Sequence, residues 1–132
     1  MNYTLIIQSA PIDQQSSHTA LRFARALLKA GHTIDRLFFY GAGVHNATNH
    51  SVAPQDELNL PVQWQQFVTQ HSLDAVVCIA AAVRRGVINS AESNRYGKKG
   101  DNLADGFDLS GLGQLVASAV ESDRVVTFGA NA

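Results

Sequence analysis

Short apolar runs rich in β-branched and aromatic residues alternate along this chain with amphipathic helical segments, and this alternation restricts the fold more than any other feature. The runs expected to form strands are Tyr3–Ser9, Thr33–Tyr40, the stretch DAVVCIA (74–80), the short stretch GFDL (106–109) and Asp123–Phe128. Strands separated by helices at this spacing are typical of βαβ units with right-handed crossovers. The pattern therefore predicts a three-layer α/β/α domain with a mostly parallel five-stranded sheet.

Between the predicted strands the apolar spacing indicates helices. They are expected from Ser16 or Ser17 to about Gly31, around Val62–Val68, over Ala80–Arg85, and over about Ser110–Glu121. Within the second helix Trp64 is expected in the core or at an interface. A long polar connection is predicted from Gly41 to about Asn59, and connections of this length tend to be functional or mobile. The polar region 89–105 is too weakly patterned for an element to be assigned.

Length and composition indicate one domain over residues 1–132, with 129–132 as a flexible tail. A single cysteine, no recognisable secretion signal and no long apolar segment favour a cytoplasmic location. The formal net charge of -1 argues against direct nucleic-acid binding, because no large excess of basic residues is present to neutralise phosphates.

The single cysteine, Cys78, is the residue with the clearest chemical potential. A lone cysteine among valine and isoleucine is by default a packing residue. However, Cys78 lies near the carboxyl end of the third predicted strand, and ligands and catalytic groups gather at such ends in open parallel sheets. The first turn of the following helix would supply free N–H groups near the sulfur. Both interpretations, inert core filling and a working thiol, stay open at this point.

Basic residues cluster shortly after Cys78. Half of all Lys and Arg residues lie between positions 84 and 99, with one acidic residue, Glu92, among them. A solvated face is the ordinary explanation of such a cluster. The alternative is that Arg84 and Arg85 stabilise the thiolate of Cys78 or dock an acidic partner close to it.

No cofactor or metal ion is expected. The stretch GAGVHN, which begins at Gly41, lacks the third glycine and the capped helix of a dinucleotide-binding fingerprint. The two histidines His45 and His50 have no cysteine nearby and no helix to set their geometry for zinc. A flavodoxin-like module that binds a small molecule would need a phosphate loop, which the sequence does not offer.

Several stretches together resemble the DsrE/DsrF-like sulfur-relay family, in register from Tyr3 to Phe128. They are SSHTALRFARALLKAGH, RLFFYGAGVHNA, VQWQQF, CIAAAVRRGV and GFDLSGLGQLVASAVESDRVVTF. The cysteine at a strand end followed by AAAVRRG is the most specific of these features. Two departures are the missing glycine in SAPIDQQ and the extension GANA after the last strand.

The resemblance implies a flavodoxin-like (DsrEFH-like) fold and a sulfurtransferase in which Cys78 accepts a sulfane sulfur as a persulfide. It also implies two sister subunits in a dimer of heterotrimers, a sulfur donor protein and an acceptor protein. The relayed sulfur would end in 2-thiouridine at the wobble position of certain tRNAs. A noncatalytic assembly subunit with a buried, unreactive Cys78 is the alternative within the same fold.

Overall fold

In the computed structural model, which describes residues 1–129, five parallel strands form one sheet in the order β4-β3-β2-β1-β5. The strands are β1 (Asn2–Ile7), β2 (Thr33–Phe39), β3 (Ala75–Cys78), β4 (Phe107–Ser110) and β5 (Arg124–Phe128). The helices are α1 (Ser16–Lys29), α2 (Leu60–Gln70), α3 (Ile79–Arg84), α4 (Ser90–Arg95) and α5 (Gly113–Glu121). The predicted α/β class and the five-stranded parallel sheet are confirmed. The predicted tail at 129–132 lies, apart from Gly129, outside the described residues.

The strand order places one helix apart from the others. From β1 to β4 the chain steps across the sheet in one direction, and after α5 it returns to the far side of β1. Because crossovers between parallel strands are right-handed, this reversal places α5 on the opposite face from α1 and α2. The order differs from the 2-1-3-4-5 of flavodoxin, so the likeness to flavodoxin is one of layers rather than of strand order.

Helices α1 and α2 close one face of the sheet. Residues of α1 at three- and four-residue spacing, Ala20, Leu21, Ala24 and Leu27, are buried, as expected for the apolar stripe of a surface helix. The α1 helix ends before Gly31, which has a φ of 88°, and glycine adopts this left-handed conformation without a Cβ penalty. From α2, Trp64 packs edge-on against Phe39 with ring centroids 5.2 Å apart, so the predicted core position of Trp64 is confirmed.

The connection after β2 is more ordered than its polar composition predicts. Residues Gly41–Ala47 form a 3-10 helix, and an irregular stretch follows as far as Asn59, the N-cap of α2. The side chain of Asn46 is fully buried there and donates to the carbonyls of Ser9 (3.0 Å) and Gly43 (2.9 Å). A Cβ on Gly43 would lie 2.0 Å from the carbonyl oxygen of Ile7. The predicted loop character therefore does not extend to 41–47, because contacts distant in sequence hold this segment.

Helix α4 is an element that the sequence pattern did not assign. It is short and is capped by Asn89, whose Oδ1 accepts from the backbone N–H of Glu92 (2.9 Å).

Within residues 1–129 no helix combines the length and the apolar character needed to cross a membrane.

Candidate functional site

Cys78 is the last residue of β3 and immediately precedes α3. All four residues of β3 are buried, as expected for a short central strand covered on both faces. Cys78 itself is 3% exposed. Burial alone agrees with the packing interpretation, so the surroundings of the residue decide whether chemistry is available to it.

Those surroundings form a cleft of about 390 Å3 at the carboxyl ends of three neighbouring strands. Tyr40 and Gly41 follow β2, Cys78 ends β3, and Gly111 and Leu112 follow β4. Ligand sites in open parallel sheets lie at this edge, because the connections leaving the strands diverge there. Cys78 therefore lines a strand-end cleft rather than being enclosed on every side by the core.

The register of the sheet assigns the cleft to the α5 face. Cys78 pairs with Ser110, and two residues earlier Val76 pairs with Phe38. Side chains two residues apart on one strand point to the same face of the sheet, and so do side chains that are neighbours across parallel strands. Cys78, Val76 and Phe38 therefore share a face. On β2, Arg36 shares the face of Phe38, and its Nη1 donates to the carbonyl of Gln114 in α5 (2.7 Å). The cleft thus opens beside the first turn of α5, on the face of the sheet that carries one helix.

Both arginines predicted near the sulfur line the same cleft as Cys78. Arg84 and Arg85 are exposed, and Nη1 of Arg85 donates to the carbonyl of Ala81 (3.2 Å), which ties this side chain back along α3. No carboxylate among residues 1–129 lies within ion-pair distance of either arginine. Their positive charges are therefore available to a negatively charged group that enters the cleft.

The sequence did not point to the other residues that line the cleft, among them Tyr40, Gly41, Gly111 and Leu112. One available signal for these four was their position, since each pair lies at or just beyond the end of a predicted strand. Which strands flank β3 was not available from that pattern, because the order of strands in the sheet is set by long-range packing. The predicted set of Cys78, Arg84 and Arg85 is brought together in one cleft.

A buried polar network holds the cleft wall that begins at Gly41. Trp64 Nε1 donates to Ser17 Oγ (3.0 Å), and Ser17 Oγ donates to Asn46 Oδ1 (2.7 Å). The amide of Asn46 then holds two backbone carbonyls, one of them from the 41–47 segment. Satisfied buried networks of this kind specify one arrangement of the backbone. Asn46 thus links the core under α1 and α2 to the cleft wall.

Together these features define an α/β domain with a strand-end cysteine site flanked by arginines. The sequence profile of the DsrE/DsrF-like family matches residues 1–128, and the chain belongs to this family.

Individual relatives agree with this assignment. The chain is 52% identical over 119 residues to the sulfurtransferase TusD homolog of Pseudomonas aeruginosa, covering 90% of this chain and 91% of the relative. It is 44% identical over 129 residues to the putative sulfurtransferase DsrE of Allochromatium vinosum, covering 98% and 99%. It is 42% identical over 128 residues to the sulfurtransferase TusD of Salmonella newport, covering 97% and 100%. The chain thus falls among the sulfurtransferases of its family.

The crystal structure of the ychN protein from E. coli has the same fold. The two structures superpose with a TM-score of 0.75 at 22% sequence identity, covering 97% of this chain and 100% of the other. At this identity the similarity supports the architecture.

Proposed function

We propose that this chain is a persulfide-carrying sulfurtransferase subunit, with Cys78 as the residue that accepts and passes on the sulfur. The observation that carries the proposal is the position of the sole cysteine, in a strand-end cleft that Arg84 and Arg85 also line. Sulfurtransferases with 40–52% identity to this chain support the same role.

The proposed chemistry is sulfur exchange without a redox cofactor. The thiolate of Cys78 attacks the terminal sulfur of a donor persulfide, R–S–SH. The donor S–S bond breaks as the new bond forms, so the donor leaves as the thiolate R–S⁻ and Cys78 becomes a persulfide. In the second step an acceptor thiolate attacks the terminal sulfur and Cys78 leaves as a thiolate. Such exchange depends on thiolate character and access.

Arg84 and Arg85 would stabilise the negative charge that is present in these two transfer steps. Each transfer brings a thiolate or persulfide anion into the cleft, and two guanidinium groups at its wall attract that charge. The second proposed role of the pair is to dock an acidic partner. Neither role needs a second cysteine in this chain, and a nearby one would attack the persulfide and release the sulfur as sulfide.

The partners in this proposal follow from the resemblance to TusD. TusB- and TusC-like subunits would complete a dimer of heterotrimers, a TusA-like protein would donate the sulfur and a TusE-like protein would accept it. The relay would end in 2-thiouridine at the wobble position of tRNA, in the cytoplasm, with no direct tRNA contact by this chain. The exposed apolar side chains of α5, Leu112 at its N-cap, Val116 and Val120, support a subunit contact on that side.

The experiment that tests the proposal is intact-mass analysis after exposure to a persulfide donor. We expect the chain to gain one sulfur atom that a reductant removes, and Cys78→Ser to gain none. Replacing Arg84 and Arg85 together with Ala should slow loading about tenfold, with the difference shrinking at high salt because salt screens charge. Unchanged loading kinetics and partner affinity in the double variant would remove both arginines from the mechanism.

The burial of Cys78 favours one competing function, a noncatalytic assembly subunit with an inert thiol. Its 3% exposure is typical of a packing cysteine. The same mass measurement separates the two functions when the sister subunits are present. No sulfur gain in the complete complex would contradict the carrier role and leave the assembly role.

A further inference from the structure

A second and larger cavity adjoins the Cys78 cleft. It is a groove of about 1010 Å3 between α3 and the segment that contains α4. Its apolar lining comes from Ile79, Val83, Ile88 and the exposed ring of Tyr96. An open groove with this much apolar lining suits a partner that brings apolar side chains of its own.

The rim of the groove is basic. Arg84, Arg95, Lys98 and Lys99 line it with one acidic residue, Glu92, so four cations less one carboxylate leave a charge of +3. The whole chain carries -1, so the positive charge is a local feature. Four of the five basic residues between positions 84 and 99 therefore surround an apolar groove. A face that is only solvated would have no need of such a groove.

The rim is also ordered. The backbone N–H of Lys98 donates to the carbonyl of Ser93 (2.8 Å), and Ser93 Oγ donates to the carbonyl of Lys98 (3.0 Å). The guanidinium carbon of Arg95 lies 5.4 Å from the centroid of the Tyr96 ring, within the range of a cation–π contact. A preorganised rim loses less entropy when a partner docks.

The groove and the cleft share a wall. Ile79, Ala80 and Arg84 line both cavities. The groove therefore adjoins, along α3, the cleft that contains Cys78. A protein docked in the groove would lie close enough to present a sulfur atom to Cys78.

The composition of the groove favours a polypeptide over a nucleic acid. Glu92 is 8% exposed and lines the groove; its Oε1 lies 3.9 Å from Arg95 Nη1, and within residues 1–129 its Oε2 has no hydrogen-bond partner. The basic rim attracts phosphates as well as carboxylates, but a phosphate placed beside Glu92 meets a like charge. A peptide offers carboxylates to the basic rim, backbone N–H donors to Glu92, and apolar side chains to the apolar lining.

We infer that this groove docks an acidic, partly apolar polypeptide segment of the protein that exchanges sulfur with Cys78. The identity of the partner in this inference rests on the proposed function, whereas the charge and the apolar lining of the groove do not depend on that proposal. Arg84 would contact both the docked segment and the reacting sulfur, and Lys98 and Lys99 would contact the segment alone.

Binding of a fluorescein-labelled peptide without cysteine tests the inference independently of Cys78 reactivity. The probe is a peptide of about twelve residues rich in Glu and Leu, compared with the same peptide carrying Gln for Glu and with an oligouridine of similar length. The variant Lys98→Glu with Lys99→Glu reverses two rim charges. The matched control, Arg22→Glu with Lys29→Glu, makes the same charge change on exposed positions of α1.

Fluorescence anisotropy should show that the Glu peptide binds more tightly than the Gln peptide. The rim variant should weaken Glu-peptide binding about tenfold, while the α1 variant retains it. Equal loss in both variants, no preference for the Glu peptide, or tighter binding of oligouridine would overturn the inference. Failure of the proposed function appears elsewhere, as absent sulfur loading of Cys78, so the two failures are distinguishable.

Discussion

The two faces of the sheet are built differently. On one face, α1 and α2 cover side chains from β1 and β2, and residues such as Leu5, Phe39 and Trp64 are fully buried. On the other face α5 is the one covering helix, and Ser118 is its one buried residue. Val116 and Val120 of α5 are 63% and 80% exposed. Both faces contribute to the core, since Phe38 on the α5 face is also fully buried, but α5 leaves large apolar side chains such as Val120 far more exposed than α1 and α2 leave theirs.

The Cys78 cleft lies where these two faces meet at the carboxyl edge of the sheet. The register of the strands places the floor of the cleft, at Cys78, on the α5 face. The wall at Gly41 is instead held by hydrogen bonds of Asn46, which lies on the side of α1 and α2. A site built this way combines a rigid support with an open side. This arrangement suits a thiol that must keep its position and still be reached by other proteins.

The largest effect expected from this contrast is on stability. Trp64→Ala should lower the free energy of unfolding by about 3–5 kcal/mol, because it leaves a large cavity and removes the donor to Ser17. Val116→Ala on α5 should change it by about 0.5 kcal/mol or less. Urea denaturation followed by circular dichroism measures both. Similar losses in the two variants would contradict the difference between the faces.

A smaller effect is expected at the link between the faces. Asn46→Ala should cost about 2–4 kcal/mol of unfolding free energy, since it removes the donor to two buried backbone carbonyls and the acceptor for the Ser17 hydroxyl proton. Hydrogen exchange should show that protection lost at 41–47 exceeds that lost in α5. A control, Thr19→Ala on the exposed side of α1, removes one exposed hydroxyl contact. Equal protection in Asn46→Ala and the parent chain would show that the network does not hold the cleft wall.

The smallest effect on stability, and the most informative about assembly, is expected on α5. Val116→Glu combined with Val120→Glu should leave the unfolding free energy of the isolated chain within about 0.5 kcal/mol, because both side chains are exposed. The same variant should weaken association with the sister subunits, measured by sedimentation velocity. Normal assembly of the variant would remove α5 from the subunit contacts.

Much of the fold was predictable because its signals are local. The apolar run DAVVCIA (74–80) predicts a buried strand, and the spacing of Leu21, Ala24 and Leu27 predicts a helix. Helix α4 was missed because it is short, polar and held by its Asn89 cap and by contacts of its neighbours. The 3-10 helix at 41–47 was missed for a related reason, since its stability comes from partners at positions 7, 9 and 17.

The candidate site was likewise predictable only in part. That Cys78 ends a strand and that basic residues follow it were both readable from the sequence. That Arg84 and Arg85 share a cleft with Cys78, and that Arg84 also borders a groove, required the structure. The phase of a helix relative to its sheet depends on packing rather than on spacing alone.

By itself the sequence determined the alternation of strands and helices and the position of the sole thiol near a strand end. These follow from the periodicity of apolar residues, which acts over a few residues at a time. The tertiary structure decided the strand order, the placement of α5 alone on one face, and the joining of groove and cleft along α3. Each of these depends on contacts between residues far apart in the chain, such as Arg36 with Gln114.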